Sequence, residues 1–322
     1  MELSSNKHAI CKSVNKYTLI DLNTVKIKKD KDRYEVSFRV GNEKIVFPMF
    51  HKEFRDNLDF LAKGSYGSVY SLKTYHKGAY YGIIFKISID NKIDEDEIKA
   101  MELLKSHKVN CGVILARLID IPNTPNVTMM NIMNGDLTLL QGKVTIHEMI
   151  SIFYSCLQCL DCLVSRGLGY LDIKLKNLLF HCSTNEDYTI VLGDIGSIGK
   201  LGETQISTYV PYEQRFRPRT QFVITENAMV YLLGAVMLGL MDARPWSKSI
   251  MTTFFVRYDN YNMDAIQSEI NEFLFKKKFH KKVMRTKTLD LHFHDILNTD
   301  PTKRPTIKQL LALFKPPKIT YV

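Results

Sequence analysis

Hydrophobic residues along this chain keep two different periods, and the change from one to the other constrains the fold more than any composition figure. From 25 to 47 the apolar positions alternate, with Tyr34, Val36, Phe38 and Val40, then Gly41-Asn42, then Ile45, Val46 and Phe47. Such alternation marks strands, and a Gly-Asn pair between two runs reads as a hairpin turn. A second strand-rich zone runs from Phe60 to Ile89, an acidic helix start follows at Asp94, and more strand-like pieces occupy Gly112 to Met133. From Ile146 onward Met149, Ile152, Phe153, Cys156, Leu157, Leu160, Leu163 and Val164 fall at helical spacing. Strands first and helices later predict an α+β chain of two lobes, with the segment near Asn131 to Asp136 as the hinge.

Length and composition agree with that division. The chain has 322 residues, 45% of them hydrophobic, enough for one large or two closely packed domains. The longest apolar stretch, Met229 to Met241, is too short for a hydrocarbon core of about 30 Å and reads as a buried helix, so no membrane span is expected. The N-terminus lacks the charged-then-apolar order of a secretory signal. Cys11, Cys111, Cys156, Cys159, Cys162 and Cys182 suggest no disulfide-rich framework, which points to the cytosol or nucleus. A formal charge of +10 favours nucleic acid, anionic surfaces or acidic proteins as partners. Its densest cluster, Lys276, Lys277, Lys278, His280, Lys281 and Lys282, reads either as a docking or import patch or as a solvated helix end.

Four ordered groups carry chemistry. Leu61-Ala62-Lys63-Gly64-Ser65-Tyr66-Gly67-Ser68-Val69 lies between two strand patterns, and Gly64 and Gly67 would let the backbone approach phosphate oxygens. Two glycines in a turn prove little alone. Lys86 ends an alternating strand, and the acidic helix start behind it offers Glu97, with Glu102 as the alternative, to hold its ammonium. The segment Asp172-Ile173-Lys174-Leu175-Lys176-Asn177 sets a carboxylate, an ammonium and an amide on one tight loop. Phosphoryl transfer uses those three: a base to orient and deprotonate a hydroxyl, a cation beside the moving phosphoryl group and a neutral oxygen ligand for Mg²⁺. Asp194, at a strand end before Ile195-Gly196, supplies a second carboxylate suited to be the main Mg²⁺ ligand.

Taken in this order, these motifs resemble the eukaryotic protein kinase family over roughly residues 55 to 315. The resemblance implies a bilobal fold with an ATP cleft between a β-rich N-lobe (55–133) and a mainly helical C-lobe (134–315). Residues 1–54 are then an extension, expected as a hairpin packed on the N-lobe, and 316–322 a tail. It implies ATP and Mg²⁺ (Mg2+) as cofactors and protein substrates as partners. Lys86, Glu97, Asp172 and Lys174 would be catalytic, Asn177 and Asp194 would bind metal, and Leu61, Ala62, Gly64, Ser65, Tyr66, Gly67 and Val69 would enclose the nucleotide. Met130 would be the gatekeeper, and Asn131 to Met133 the hinge that meets adenine. Lys174, two residues after the catalytic aspartate, resembles the serine/threonine branch. Arg304, in Asp300-Pro301-Thr302-Lys303-Arg304-Pro305, is similar to the late-motif arginine that clamps an activation-segment glutamate, here Glu213.

Departures from the family pattern are equally specific. Ala62 replaces a glycine, Ile195 a phenylalanine, and Tyr170-Leu171 the usual His-Arg, so activity independent of activation-loop phosphorylation is expected. Met229 replaces an aspartate that braces the catalytic loop, leaving Glu226 as a substitute brace. The spacing from Lys86 to Glu97 is short, which favours Glu102 if ordinary geometry holds. Drift of this kind resembles compact kinases of large DNA viruses. It also keeps a pseudokinase scaffold in view, and the basic charge keeps nucleic acid as a partner. Cys156, Cys159 and Cys162 read as core packing and His292 and His294 as structural or exposed rather than zinc-binding. Ser207 and Thr208 are candidates for substrate contact or modification.

Overall fold

The computed structural model describes residues 11, 16–31, 33–49, 51–63, 67–88, 95–121, 124–182, 188–205, 222–242, 293–298 and 300–314. Gly64, Ser65, Tyr66, Ser207, Thr208, Glu213, the lysines of 276–282 and His292 lie outside them. Two compact units emerge. One takes Met1–Gly135 with Phe180–Thr189 and Asp194–Gly196, the other Asp136–Leu179, Ile190–Gly193 and Ser197–Val322.

The first unit is built on two sheets. Strands β1 (Tyr17–Thr18), β2 (Lys26–Asp30), β3 (Arg33–Val40), β4 (Glu43–Pro48), β5 (Asp59–Lys63), β6 (Gly67–His76), β7 (Ala79–Ser88), β8 (Ala116–Ile121) and β9 (Thr124–Asn131) occur here, with helix α1 (Glu95–Ser106) after β7. The order β2-β3-β4 makes an antiparallel meander, so the expected hairpin gains a third strand. Its turn has Gly41 at φ 58°, a left-handed value that glycine adopts without a Cβ penalty. The larger sheet runs β5-β6-β7-β9-β8, with β1 added in parallel to β7.

Residue parity divides the two faces of the larger sheet. Directly opposed residues share a face, and successive residues do not. Tyr70, Leu72, Tyr81, Ile83, Phe85, Ile87, Val127 and Met129 point one way and join Tyr34, Val36, Phe38, Ile45, Phe47 and Phe54 in one buried cluster. Phe38 meets Phe47 and Tyr81 at ring separations of 5.3 and 5.2 Å, and Phe54 meets Phe85 edge-on at 5.2 Å. Each ring buried this way contributes about 1.5–3 kcal/mol by transfer alone. The meander thus covers one face of the sheet and leaves the other to the row Ala62, Val69, Lys86 and Thr128, paired in that order across β5, β6, β7 and β9.

The segment before β2 is fastened along the end of β9. Ile20 N–H donates to Asn131 Oδ1 at 2.8 Å, Asn131 Nδ2 donates to Ile20 O at 2.9 Å, and Arg117 donates to Leu22 O at 3.2 Å. Cys11 and Cys182 are disulfide-bonded, with Cα atoms 5.6 Å apart. Cys111 and Cys162 are disulfide-bonded as well, which corrects the expectation that the cysteines form no disulfide-rich framework and that Cys162 merely packs in the core: a contact across 171 residues leaves no trace in local spacing.

Helices dominate the second unit: α2 (Ile146–Val164), α3 (Glu226–Met241) and the short α4 (Ile307–Leu313). Helix α2 starts on a reciprocal cap in which Thr145 accepts from Glu148 N–H and Glu148 accepts from Thr145 N–H, and α4 repeats the device with Thr306 and Gln309. The apolar stripe of α2 buries Met149, Phe153, Cys156 and Leu160, and Phe153 packs on Phe293 and Phe314 at 5.8 and 5.0 Å. Helix α3 is buried from Ala228 to Met241, as an all-apolar segment must be. No helix among the described residues is long and apolar enough to cross a membrane.

Cys156 and Cys159 are buried free thiols. Burial pushes the Cys159 thiol up to about 12, and it holds Cys156 well above its ordinary value. Cys159 Sγ donates to Ile190 O at 3.1 Å. No group of three metal-ligating side chains occurs among the described residues.

Candidate active site

In the first unit the amine and the acid meet. Lys86 lies in β7 opposite Val69 and Thr128, and its Nζ is ion-paired with Glu97 Oε2. The side chains are 20% and 7% exposed, so the pair is shielded from most of the solvent that weakens surface ion pairs. Glu97, not Glu102, is the partner. Helix α1 begins at Glu95, which puts Glu97 in its first turn beside Lys86, whereas Glu102 faces solvent.

Met130 sits opposite Ile84, two residues from Thr128, and so shares the Lys86 face; Met130 and Met133 are half-buried. The Asn131 side chain is occupied by the backbone of Ile20, which leaves only its main chain for a ligand. Leu61 and Ala62 are exposed on β5. Gly67 has a structural reason to be glycine: a Cβ there would lie 2.8 Å from Ile87 O. The close approach is to the neighbouring strand.

Asp194 also belongs to this unit. It is exposed, and its φ of 49° places it, rather than Gly196, in the left-handed region. Non-glycine residues hold that conformation at a cost, and such outliers cluster at functional sites. The turn abuts the start of α1, since a Cβ on Gly196 would lie 3.4 Å from Glu97 N.

The second unit gathers the loop residues. Lys174 Nζ contacts Asp172 Oδ2 at 2.6 Å, and Asn177 Nδ2 donates to Asp172 O at 2.9 Å and to Asp172 Oδ2 at 2.8 Å. One carboxylate oxygen is therefore doubly held. The other, Oδ1, is buried with no hydrogen-bond partner among the described residues. A buried acceptor without a donor is costly and calls for an explanation, commonly a catalytic one. Because the amide nitrogen of Asn177 is committed to Asp172, its Oδ1 is turned to accept or to ligate.

Behind this loop the charged residues of the family pattern are gone. The strand Leu168–Tyr170 pairs with Ile198–Lys200, and Tyr170 N–H donates to Met229 Sδ at 3.1 Å. The Tyr170 hydroxyl donates to Gly193 O at 2.7 Å, and Gly193 N–H donates to Asn177 O at 2.7 Å. Leu171 is buried. Glu226, expected as the substitute brace, instead accepts from Ile307 N–H at 2.7 Å. Position explains the difference: Glu226 is the first residue of α3, while Met229 lies one turn deeper, next to the loop. Arg304 is buried, donating to Asn298 O and Asn227 O with its guanidinium over the Tyr231 ring at 4.6 Å.

Comparison with known proteins fits these arrangements. The family model for the protein kinase domain matches residues 56–313. The meiosis-specific serine/threonine-protein kinase mek1 of Schizosaccharomyces pombe is 26% identical over 291 residues, covering 82% of this chain. The chain spans about 60% of the length of that relative.

Proposed function

The chain belongs to the protein kinase domain family, and from that premise we propose that it is an active serine/threonine kinase moving the γ-phosphate of Mg-ATP to a hydroxyl of protein substrates. The observation that carries this reading is Asp172 Oδ1, buried and without a hydrogen-bond partner among the described residues while Oδ2 is fixed by Lys174 and Asn177. A carboxylate held by one oxygen keeps the other aimed, which suits it to accept a proton from an incoming hydroxyl. The bond from the substrate oxygen to the γ-phosphorus forms as the bond to the bridging oxygen breaks, and the hydroxyl proton passes to Oδ1.

Lys174 has N–H donors beyond the one spent on Asp172, and these would steady the γ-phosphoryl group. Lys86, held by Glu97, would take the α- and β-phosphates. For Mg²⁺, Asn177 would offer a neutral oxygen oriented by its own amide nitrogen and Asp194 a carboxylate on a constrained backbone, each suited to ligation within its own unit. Bound there, the cation would neutralise charge on the phosphate oxygens. The serine/threonine preference is supported by Lys174 and by the similarity to a serine/threonine-protein kinase.

An assay with Mg-ATP and a generic basic or acidic protein substrate tests this, comparing wild type with Asp172→Ala and Lys86→Met. Turnover in wild type and its loss in both variants is expected. Equal background in all three would favour a scaffold that keeps the fold without the chemistry.

A further inference from the structure

Among the described residues, the wall behind the loop Asp172–Asn177 is apolar. Leu168, Tyr170, Leu171, Ile173, Ile224 and Met229 are all at most 1% exposed. The main-chain N–H of Tyr170 is buried there and must find an acceptor, since an unmet one costs roughly 1–3 kcal/mol. Its acceptor is the Met229 thioether at 3.1 Å.

We propose that Met229 and Tyr170 are positioning residues for the phosphoryl-transfer loop, a thioether and a phenol doing together what a charged brace does elsewhere in the family. This deepens the kinase reading and rests on it. Hydrogen bonds run unbroken from the helix to the proton acceptor: Tyr170 N–H to Met229 Sδ, Tyr170 hydroxyl to Gly193 O, Gly193 N–H to Asn177 O, and Asn177 Nδ2 to Asp172. Gly193 is also the residue before Asp194, so the same path holds the approach to the second carboxylate.

Packing explains why the brace is uncharged. A Cβ on Gly169 would lie 3.2 Å from Met229 Cε and 2.4 Å from Ile224 Cγ2, so the thioether fills a slot made by that glycine. A carboxylate in the same slot would be enclosed by apolar side chains, and Leu171 supplies no cation to offset it. A thioether is a weak acceptor but needs little solvation, so it answers the single N–H without leaving a buried charge. The three replacements at 170, 171 and 229 are therefore coupled.

Full-length protein carrying Met229→Leu, which nearly keeps the volume but removes the acceptor, and Tyr170→Phe, which removes only the hydroxyl, tests this. Amide hydrogen exchange at Tyr170 should speed up on the order of tenfold in Met229→Leu. In both variants kcat should fall on the order of tenfold while KM for ATP changes less than about twofold. Wild-type exchange at Tyr170 together with wild-type kcat in both variants overturns the proposal. Should wild type itself show no turnover, the kinase reading fails, and the exchange rate at Tyr170 still decides whether Met229 braces the loop. If Met229→Leu does not fold, Tyr170→Phe decides through exchange at Asp194: faster exchange supports the tether, and an unchanged rate overturns it.

Discussion

Lys86 and Glu97 meet as an amine and a carboxylate, whereas the loop bearing Asp172 is supported from behind by a sulfur atom and a phenol. The two regions have answered substitution differently. Where a side chain has to touch a reactant, its charge and donor set are fixed by the chemistry, and the residue type stays. Where it has only to hold another group in place, geometry and burial are the requirement, and a different residue meets them. Chemical identity is retained at the front of the loop and only shape behind it.

The hardest test of the front is Asp172→Asn, which keeps shape and removes the proposed base. Phosphoryl transfer should fall by about 10²–10⁴-fold with the melting temperature little changed, read from steady-state kinetics beside a thermal scan. Retained turnover would erase the distinction. The matching test behind the loop is Met229→Asp, which restores the family's residue into an apolar wall. Denaturant unfolding should show a loss of about 3 kcal/mol, the cost of burying a charge without its partner. A gain in stability would show that the support is not shape-limited.

A sharper comparison comes from Glu97→Gln against Glu102→Gln. The first should lower kcat/KM for ATP by about tenfold through the lost charge on the Lys86 partner, and the second should leave it within about twofold. Equal losses would mean that Lys86 is not governed by the pair. The smallest expected effect concerns the thiols in α2. Burial raises the Cys159 thiol in the folded protein from its ordinary value near 9.0 to about 12. Below 9 its contribution to stability is fully present. As pH rises from 9 towards 12 the unfolded chain gives up a proton that the folded chain keeps, and stability declines by up to about 1.4 kcal/mol per pH unit. Cys159→Ala should flatten that decline in pH-dependent melting curves.

Local contacts were legible in the sequence, and distant ones were not. Asp172, Lys174 and Asn177 span six positions, so their spacing already implies one loop, and their hydrogen bonds follow. Alternation exposed β3 and β4, with Gly41-Asn42 at the turn. The choice between Glu97 and Glu102 was open because spacing does not show where α1 begins. The Tyr170 to Met229 contact crosses 59 positions, and no pattern in either segment points to the other. Glu226 was the plausible brace by charge, yet charge did not decide it; depth in the helix did. A hairpin from the N-terminal extension packed on this portion was expected, but its third strand and the face of the large sheet that it covers were not, because alternation reveals that a face is apolar without naming what lies on it.

That covering sheet bears on how the protein is handled. The kinase match starts at residue 56, but Tyr34, Val36, Phe38, Phe47 and Phe54 fill the same core as Tyr70, Ile83 and Phe85. A recombinant fragment trimmed to the match would bare a greasy aromatic surface to water and tend to precipitate. Expression of the matched portion therefore depends on keeping the segment that precedes it.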